Sequence, residues 1–401
     1  MELAKHQLFV VQPTPLCNLD CRYCWLPERH LNEQMSHEVF RAFLRRVGNA
    51  TGHLDNGAGL VWHGGEPLVL GADYYRQCLT DLRTISEQHG FFLSVGIQTN
   101  GVLLNKIWVD LFKEHNIQIG VSVDGPAWLH DRYRVHRNGA GSHTEVQRGI
   151  DLLGEADINF SVISVLNRTA LDHPDEIFAY LRTLRTQNGF AFNIDEDDGG
   201  NRFSSILDRT ADQTLMNQKV RRFFLRLFEL NEEAGRALKI RDFVKFYRFV
   251  DGHSPLDGTS YSSTVTPGAL INVDHRGDFS TYCPELVMGY PGPNNPFVFG
   301  NVIVNDFSDM LSNQRFLSAA KDIEYGREKC RATCEYFMVC GGGSPSNRYS
   351  EHKSLTGTET LYCKNHIQAT ADAVLDYLEG LRAGPLIPGA AMTSSDLTVI
   401  Q

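Results

Sequence analysis

The sequence lacks a surplus of positive charge and lacks long hydrophobic runs. Its 401 residues include 38 lysines and arginines against 48 aspartates and glutamates, which gives a formal net charge of −10. Binding to a phosphate backbone depends on a positive surface, so this balance argues against a nucleic-acid partner. The apolar stretches are no longer than a strand, so we predict no membrane span. The N-terminal run MELAKHQLFVVQPT is too polar for a secretory signal, and we therefore expect a cytoplasmic protein.

The sequence also lacks a cysteine pattern that would suggest a disulfide framework. A reducing compartment keeps thiols free, and short spacings between free cysteines indicate a metal site instead. The nine cysteines form a first group of Cys17, Cys21 and Cys24, a second group of Cys330, Cys334, Cys340 and Cys363, and two isolated residues, Cys78 and Cys283.

The first half of the chain alternates between short apolar runs and stretches of helical periodicity. The apolar runs predict strands at Leu8–Gln12, Gly59–Trp62, Leu93–Gln98, Ile117–Val123, Phe160–Val165 and Gly189–Ile194. The periodic stretches predict helices at Ser36–Val47, Asp73–Gln88, Lys106–His115, Thr144–Leu153 and Pro174–Thr186. Repeated βα units build a parallel sheet, so we expect an α/β fold with a barrel or an open sheet. Its site should lie where the strands end.

The second half of the chain has a different amino-acid composition and periodicity. Residues 211–250 look helical, and from about residue 255 glycine, proline, serine and asparagine become frequent. We predict short strands at Leu270–Val273 and Phe297–Val304 and a helix at Asn365–Leu381. The Pro/Gly/Ser-rich segment 384–401 is predicted to be a flexible tail.

The first cysteine group has the spacing C-x3-C-x2-C. Three thiolates on one loop can hold three irons of a [4Fe–4S] cluster and leave the fourth iron open for a chelating ligand. A structural zinc site is the alternative, but it needs a fourth ligand. His30 is the only candidate close by, and its spacing fits no common zinc motif.

This loop, with an aromatic residue before its third cysteine, resembles the signature of the radical S-adenosylmethionine (SAM) superfamily. The GGEP run at 64–67, the QTNG run at 98–101 and the SVDGP run at 122–126 resemble further motifs of that superfamily. The resemblance implies a partial (β/α)6 TIM-type barrel in which a 5′-deoxyadenosyl radical abstracts a hydrogen atom from the substrate. The residues it implies for SAM binding are Tyr23, Gly64, Gly65, Glu66, Gln98, Asn100, Ser122, Arg134 and Val165. Among these it assigns the SAM amino group to Glu66 and the SAM carboxylate to Arg134. Capping of a strand end is the alternative role for Gln98 and Asn100.

The second cysteine group supplies four thiolates, enough to saturate a second [4Fe–4S] cluster, with structural zinc as the alternative. The pattern resembles the SPASM extension of radical SAM enzymes that modify peptides. A full SPASM region holds two auxiliary clusters, but Ser344 stands where another cysteine is expected and Cys283 has no nearby partner. We therefore expect one auxiliary cluster, and two [4Fe–4S] clusters with SAM in total.

A narrower resemblance, over roughly residues 8–370, is to the cyclophane-forming radical SAM/SPASM maturases. It rests on runs such as CWLPER at 24–29, WHGGEP at 62–67, FNIDE at 192–196 and CGGGSPSNR at 340–348. Such enzymes join an aromatic ring carbon to a side-chain Cβ in a ribosomally made precursor peptide. One proton must then leave, and among the carboxylates that could accept it Glu196 matches the family position best, with Asp195 second. His63 and His143 are alternative bases, although a lone histidine is more often structural. A solvated acidic loop, or a docking patch for a basic precursor, is the alternative for this segment.

The resemblance implies a radical SAM domain at 1–210, a helical bridging region at 211–265 and a SPASM-type domain at 266–383. It also implies an electron donor such as flavodoxin or ferredoxin. Because the first strand begins near residue 8, we expect the barrel or SPASM surface to recognise the precursor. Thioether formation, epimerisation and sulfatase maturation are alternative activities. A non-catalytic iron–sulfur sensor is an alternative of another class, but it would need neither the GGEP run nor Arg134.

Overall fold

The computed structural model describes residues 2–184, 186, 188–199, 201, 204–208, 212–250 and 263–382. The predicted tail at 384–401 lies outside the described residues, as does part of the predicted bridging region. No helix of the described residues is long and apolar enough to cross a membrane.

Within the described residues, one sheet of ten strands organises the fold, in the order β10-β9-β8-β1-β2-β3-β4-β5-β6-β7. The strands are β1 (His6–Val11), β2 (Leu54–Trp62), β3 (Ser94–Thr99), β4 (Gln118–Ser122), β5 (Phe160–Leu166), β6 (Gly189–Ile194), β7 (Lys239–Ile240), β8 (Leu270–Val273), β9 (Asp278–Thr281) and β10 (Gly300–Asn301). Strands β1 to β6 are parallel and neighbours in chain order. The six predicted strands and the α/β fold class are therefore confirmed.

Helices cover the sheet and link its strands. They are α1 (His37–Asn49), α2 (Ala72–His89), α3 (Lys106–His115), α4 (Ala127–Tyr133), α5 (His143–Glu155), α6 (Pro174–Leu181), α7 (Gln213–Glu233), α8 (Arg241–Val250), α9 (Glu285–Met288), α10 (Gln314–Thr333), α11 (Phe337–Cys340), α12 (Pro345–His352) and α13 (Ala369–Arg382). Short 3-10 helices lie at Thr51–His53, Pro67–Leu70, Ala170–Asp172, Ser263–Val265 and Phe307–Ser312, and a π-helical segment at Cys363–Gln368 precedes α13.

Two predicted elements are shorter than expected. The helix predicted to reach Thr186 ends at Leu181, because the Thr186 hydroxyl accepts a hydrogen bond from Phe160 N at 3.2 Å and holds the chain at the start of β5. The strand predicted at Phe297–Val304 is reduced to Gly300–Asn301. There the Asn301 side chain accepts a hydrogen bond from Ile303 N at 3.0 Å, which turns the chain out of the sheet.

The C-terminal region adds strands to the same sheet. Strand β8 pairs in parallel with β1, with Leu8 opposite Leu270, and β9 and β10 continue from it in antiparallel fashion. The apolar core fills the space between sheet and helices, with Phe9, Phe40 and Phe43 among its fully buried rings. The carboxyl ends of β1 to β6 therefore face a space bounded on one side by the C-terminal region.

Candidate active site

An open cavity with an empty volume of about 1200 Å³ lies at the carboxyl ends of these strands. Every residue that the sequence nominated for the first cluster, for SAM or for catalysis lines it. These are Cys17, Cys21, Tyr23, Cys24, Gly64, Gly65, Glu66, Gln98, Asn100, Ser122, Arg134, Val165, Asp195 and Glu196. Parallel strands bring their ends to one edge, so residues far apart in sequence meet there.

The three cysteines of the first group belong to a loop that backbone hydrogen bonds fix in place. Asp20 N donates to Val135 O at 2.7 Å, and Arg22 N donates to Tyr133 O at 2.9 Å. Burial raises the pKa of all three thiols, that of Cys21 to about 12. Thiolates in such a place need a nearby cation, as iron would provide.

The donor set of this loop fits a cluster better than a single zinc ion. The negative charges of Cys21 and Cys24 help to raise the pKa of Cys17, and that of Cys24 helps to raise the pKa of Cys21. The three thiols therefore lie close together. His30, the fourth ligand that zinc would need, is exposed and does not line the cavity. In the part of the chain that the structure describes, no group of three or more His, Cys, Asp or Glu could hold one metal ion. Three convergent thiols without a fourth ligand suit a cluster with one open iron.

Gly65 allows the loop after β2 to approach the cysteine loop. Its φ is +57°, and a Cβ at this position would lie 2.5 Å from Leu16 O and 2.6 Å from Thr14 O. The next residue, Glu66, donates its N–H to Leu16 O at 2.8 Å. Only glycine fits this conformation and this contact without displacing the backbone.

The Glu66 carboxylate ties the ends of β2 and β3 together. It accepts hydrogen bonds from Thr99 Oγ1 at 2.7 Å, Asn100 N at 2.7 Å and Leu68 N at 3.0 Å. Burial nevertheless raises its pKa to about 7. A carboxylate offers about four lone-pair directions, so one remains for the amino group that the sequence predicts here.

Gln98 and Asn100 both have protein partners at the end of β3. Gln98 Nε2 donates to Ser122 Oγ at 2.9 Å. Asn100 Nδ2 donates to Asn18 Oδ1 at 2.8 Å, and its Oδ1 accepts from Val102 N at 3.0 Å. The Val102 contact is the strand-end capping that the sequence left open. The Asn18 contact also joins Asn100 to the cysteine loop.

Asp124, which the sequence placed in a motif without a role, organises the opposite wall. It forms a buried ion pair with Arg134, Nε to Oδ1 at 3.0 Å, and accepts hydrogen bonds from Tyr23 Oη and from Val165 N. The Arg134 guanidinium carbon also lies 5.4 Å from the centre of the Tyr23 ring. Burial opposes the Arg134 charge, but Asp124, Tyr23 and Cys21 together outweigh it and keep the Arg134 pKa above its usual range.

Arg134 keeps part of its guanidinium free for a ligand. Among the described residues its terminal nitrogens donate no hydrogen bond, although the residue is only 6% exposed. A guanidinium held at one edge and open at the other suits a carboxylate ligand. The carboxylate of SAM, which the resemblance assigns to Arg134, has this chemistry.

The acidic loop that follows β6 comprises residues 195–198. Its two nominated carboxylates, Asp195 and Glu196, differ in their surroundings. Asp195 is buried, and both of its oxygens accept hydrogen bonds, from Ser204, Ser205 and Ile206. Among the described residues, the Glu196 carboxylate accepts one hydrogen bond, from Asn347 Nδ2 to Oε2 at 2.5 Å. Burial, together with the charges of Asp198 and Glu285, raises the pKa of Glu196 well above its ordinary value. Glu196 is thus the one of this pair with a carboxylate oxygen free to face the cavity.

Sequence reasoning missed one acidic residue on the same cavity wall, Glu285, and gave Asp198 no role beyond the acidic loop. Asp198 and Glu285 line the cavity beside Glu196, and burial raises the pKa of Glu285 to about 7. Glu285 comes from α9, so no spacing in the sequence links it to the acidic loop.

The second cysteine group lies outside the cavity, in the C-terminal region. Cys330 lies in the last turn of α10, Cys340 ends α11, and Cys363 begins the π-helical segment. The negative charges of Cys334 and Cys340 help to raise the pKa of both Cys330 and Cys363, so the four thiols are neighbours. All four are half-buried. They form a second, separate set of thiols, which we call the auxiliary set.

Cys283 and Ser344 lie side by side. Cys283 Sγ is 3.2 Å from Ser344 Oγ, which is in turn 3.0 Å from Ser346 Oγ. Burial raises the pKa of Cys283 to about 12. The Cys283 thiol thus has the Ser344 hydroxyl as its partner. Cys283 does not line the cavity at the strand ends.

Comparison with known proteins identifies the superfamily. The sequence profile of the radical SAM superfamily matches residues 11–181. The uncharacterised protein sll1766 of Synechocystis sp. is 38% identical over 375 residues, which are 93% of this chain and 92% of that protein. The cysteine-type anaerobic sulfatase-maturating enzyme of Clostridium novyi is 28% identical over 369 residues, covering 87% of this chain and 90% of that enzyme.

A solved structure shows the same fold. Native anSMEcpe with bound AdoMet and the Kp18Cys peptide superposes with a TM-score of 0.74 at 19% identity, covering 94% of this chain and 99% of the other. The predicted radical SAM fold is therefore confirmed. From the profile match, the related sequences and the fold together, this chain belongs to the radical SAM superfamily of enzymes.

Proposed function

We propose that this enzyme forms a C–C crosslink between an aromatic ring and a side-chain Cβ within a ribosomally made precursor peptide. The observation that carries the proposal is the single cavity that brings the cysteine loop, the SAM-type motifs and Glu196 to one edge of the sheet. A structural relative binds a peptide together with AdoMet. A peptide substrate in this cavity is in keeping with that relative.

The crosslink requires the loss of two hydrogens from the peptide. One Cβ–H bond and one aryl C–H bond break, and one C–C bond forms. When bound, SAM and the first cluster supply the radical that takes the Cβ hydrogen, and a second cluster supplies an acceptor for one electron. The remaining ring hydrogen leaves as a proton and needs a base in the cavity.

Glu196 is the residue to which we assign that base. Its carboxylate lines the cavity, has one oxygen without a partner among the described residues, and has a raised pKa because of burial and neighbouring acids. A raised pKa makes a carboxylate a better proton acceptor at neutral pH. Asp195, with both oxygens occupied, is better suited to holding the loop.

The auxiliary set supports a single second cluster. Its four thiols are neighbours, while the remaining cysteine of this region, Cys283, contacts a serine hydroxyl. A thiol and a hydroxyl that satisfy each other leave no complete ligand set at that place. We therefore assign the electron acceptor to Cys330, Cys334, Cys340 and Cys363.

The test compares Glu196→Gln with the parent and with Asp197→Asn, a neighbouring acid that does not line the cavity. The probe is a short synthetic peptide that contains an aromatic residue and is deuterated at Cβ. Because the base acts after hydrogen abstraction, Glu196→Gln should still make deuterated 5′-deoxyadenosine. The crosslinked peptide should fall by about 10²–10⁴-fold, as for loss of a general base, while Asp197→Asn behaves as the parent.

Two results would contradict this role. Loss of peptide binding alone in Glu196→Gln would make the residue a docking group. Normal crosslinking by Glu196→Gln would show that Glu196 lines the cavity but has no role in the reaction.

Sulfatase maturation is a second candidate, because the Clostridium novyi relative has that activity by name and aligns over most of this chain. It would oxidise a serine or cysteine side chain and form no C–C bond. A peptide whose aromatic residue is replaced by leucine separates the two. The crosslinking proposal requires no product from it, whereas oxidation of a serine or cysteine would proceed unchanged.

A further inference from the structure

Helix α12 is unusual because most of its side chains are both polar and buried. Ser346, Asn347, Arg348, Ser350 and Glu351 are each at most 8% exposed. Buried polar groups are costly unless they are hydrogen-bonded. The partners of these side chains therefore show what the helix holds in place.

One side of α12 holds the acidic loop that follows β6. Asn347 Nδ2 donates to Glu196 Oε2 at 2.5 Å. Ser350 Oγ donates to the backbone oxygen of Asp197. Two consecutive residues of the loop, one by its side chain and one by its backbone, are thus fixed by one helix.

The other contacts of α12 reach the auxiliary set. Arg348 Nη2 donates to Cys330 Sγ at 3.6 Å and to the oxygen of Gly342. The Glu351 carboxylate accepts from Leu361 N at 2.6 Å and Tyr362 N at 3.0 Å, directly before Cys363. The helix is therefore anchored on both sides, and Asn347 has little freedom to move away from Glu196.

We infer that Asn347 is the positioning residue that orients Glu196 toward the substrate. Its amide occupies Oε2 and fixes the carboxylate in one rotamer, while Oε1 receives no hydrogen bond from the described residues. Glu196 stands among the acids Asp198, Glu285 and Glu351, whose repulsion would otherwise turn it away. A donor from α12 opposes that repulsion. This inference rests on the proposed function of Glu196.

Asn347→Leu tests the inference, because it keeps the volume and removes the donor. With cluster-loaded enzyme, SAM and the aromatic peptide used above, we expect 5′-deoxyadenosine to form as in the parent and peptide affinity to be unchanged. The amount of crosslinked peptide per 5′-deoxyadenosine should fall about 10- to 100-fold, as for a misplaced catalytic group. Tyr290→Phe is the matched control, since it removes a donor to Asp198 Oδ1 at 3.2 Å and should leave the ratio intact.

The outcomes separate this inference from the function on which it rests. If Asn347→Leu keeps the parental ratio while Glu196→Gln loses crosslinking, the positioning role is wrong and the proposed function stands. If Glu196→Gln crosslinks normally, both are wrong. Should Asn347→Leu lose iron or melt early, Asn347→Asp replaces it, and a parental ratio in that folded variant would overturn the inference.

Discussion

Asp124 decides the geometry of one wall of the cavity. Its carboxylate contacts Tyr23, Arg134 and the backbone N–H of Val165, three groups from different parts of the chain. A buried carboxylate is tolerated when a cation and hydrogen bonds compensate for lost hydration. Asp124 and Arg134 therefore depend on each other for burial, and a ligand contact by Arg134 comes in addition to this pairing.

Removing either charge alone should lower the free energy of unfolding, whereas removing both should restore most of it. Arg134→Gln leaves Asp124 buried without its cation and should cost about 3–5 kcal/mol of unfolding free energy. SAM affinity should also drop by about tenfold or more, since a charge-assisted pair is worth about 1.5–3 kcal/mol. The double variant Asp124→Asn/Arg134→Gln should regain most of the stability but not the affinity. Anaerobic denaturant unfolding and equilibrium binding of SAM measure the two effects, and parental affinity in the double variant would confine Arg134 to a structural role.

At the scale of elements, the site depends on how closely two loops approach. The loop after β1 carries the first cysteine group and the loop after β2 carries Gly65, whose missing side chain lets the backbones touch. Positive φ at a residue with a side chain costs about 1–2 kcal/mol by itself. Collision with the two carbonyl oxygens is a separate cost, and Gly65→Ala would incur both costs.

Gly65→Ala should therefore displace the cysteine loop, whereas Gly71→Ala should not. Gly71 also has a positive φ, +80°, but a Cβ there would meet nothing within 4 Å. We expect Gly71→Ala to lose only modest stability and to keep SAM binding. In Gly65→Ala, SAM binding and iron content of the first cluster should both fall strongly. Equal behaviour of the two variants would mean that backbone strain, and not the close approach, governs this position.

The sequence predicted some elements well and others not at all, for physical reasons. Strands β1 to β6 are apolar runs between clear turns, so periodicity was sufficient. Helix α10 buries Ala319, Ala320 and Gly326 beside only two large apolar residues, Phe316 and Ile323, so it shows little amphipathic contrast. Helix α12 buries polar side chains, which a hydrophobic pattern cannot detect. The pairing of β8 with β1 is a long-range contact that local periodicity does not encode.

The residues of the candidate site also fall into those that the sequence predicted and those that it did not. The family resemblance predicted the cavity residues at the ends of β1 to β6, and the strand pattern predicted that they would meet, because the ends of parallel strands lie at one edge. The contrast between Asp195 and Glu196 depends on Ser204, Ser205 and Asn347, whose contacts exist only in the folded chain. Glu285 likewise reaches the cavity from a region with no pattern in common with the barrel. These contributions come from tertiary packing.

The whole molecule carries two sets of thiols in different surroundings. The first set lines the cavity beside the SAM-type residues, and the auxiliary set lies outside it, half-buried and connected to the acidic loop through α12. The first set thus lies in the cavity, and the auxiliary set lies apart from it. The proposed function requires such a separation, with an electron donor at one place and an electron acceptor at another.

Iron content tests this arrangement as a whole. Two four-iron clusters should give about eight irons per chain after anaerobic reconstitution. Replacing Cys17, Cys21 and Cys24 by alanine should leave about four irons and abolish SAM cleavage, because the auxiliary set has no open iron for SAM. Cys283→Ser should keep the parental iron content, since Cys283 already has Ser344 as its partner at 3.2 Å. About twelve irons in the parent, falling to about eight in Cys283→Ser, would instead show a third cluster beside Ser344 and would contradict the assignment of a single auxiliary site.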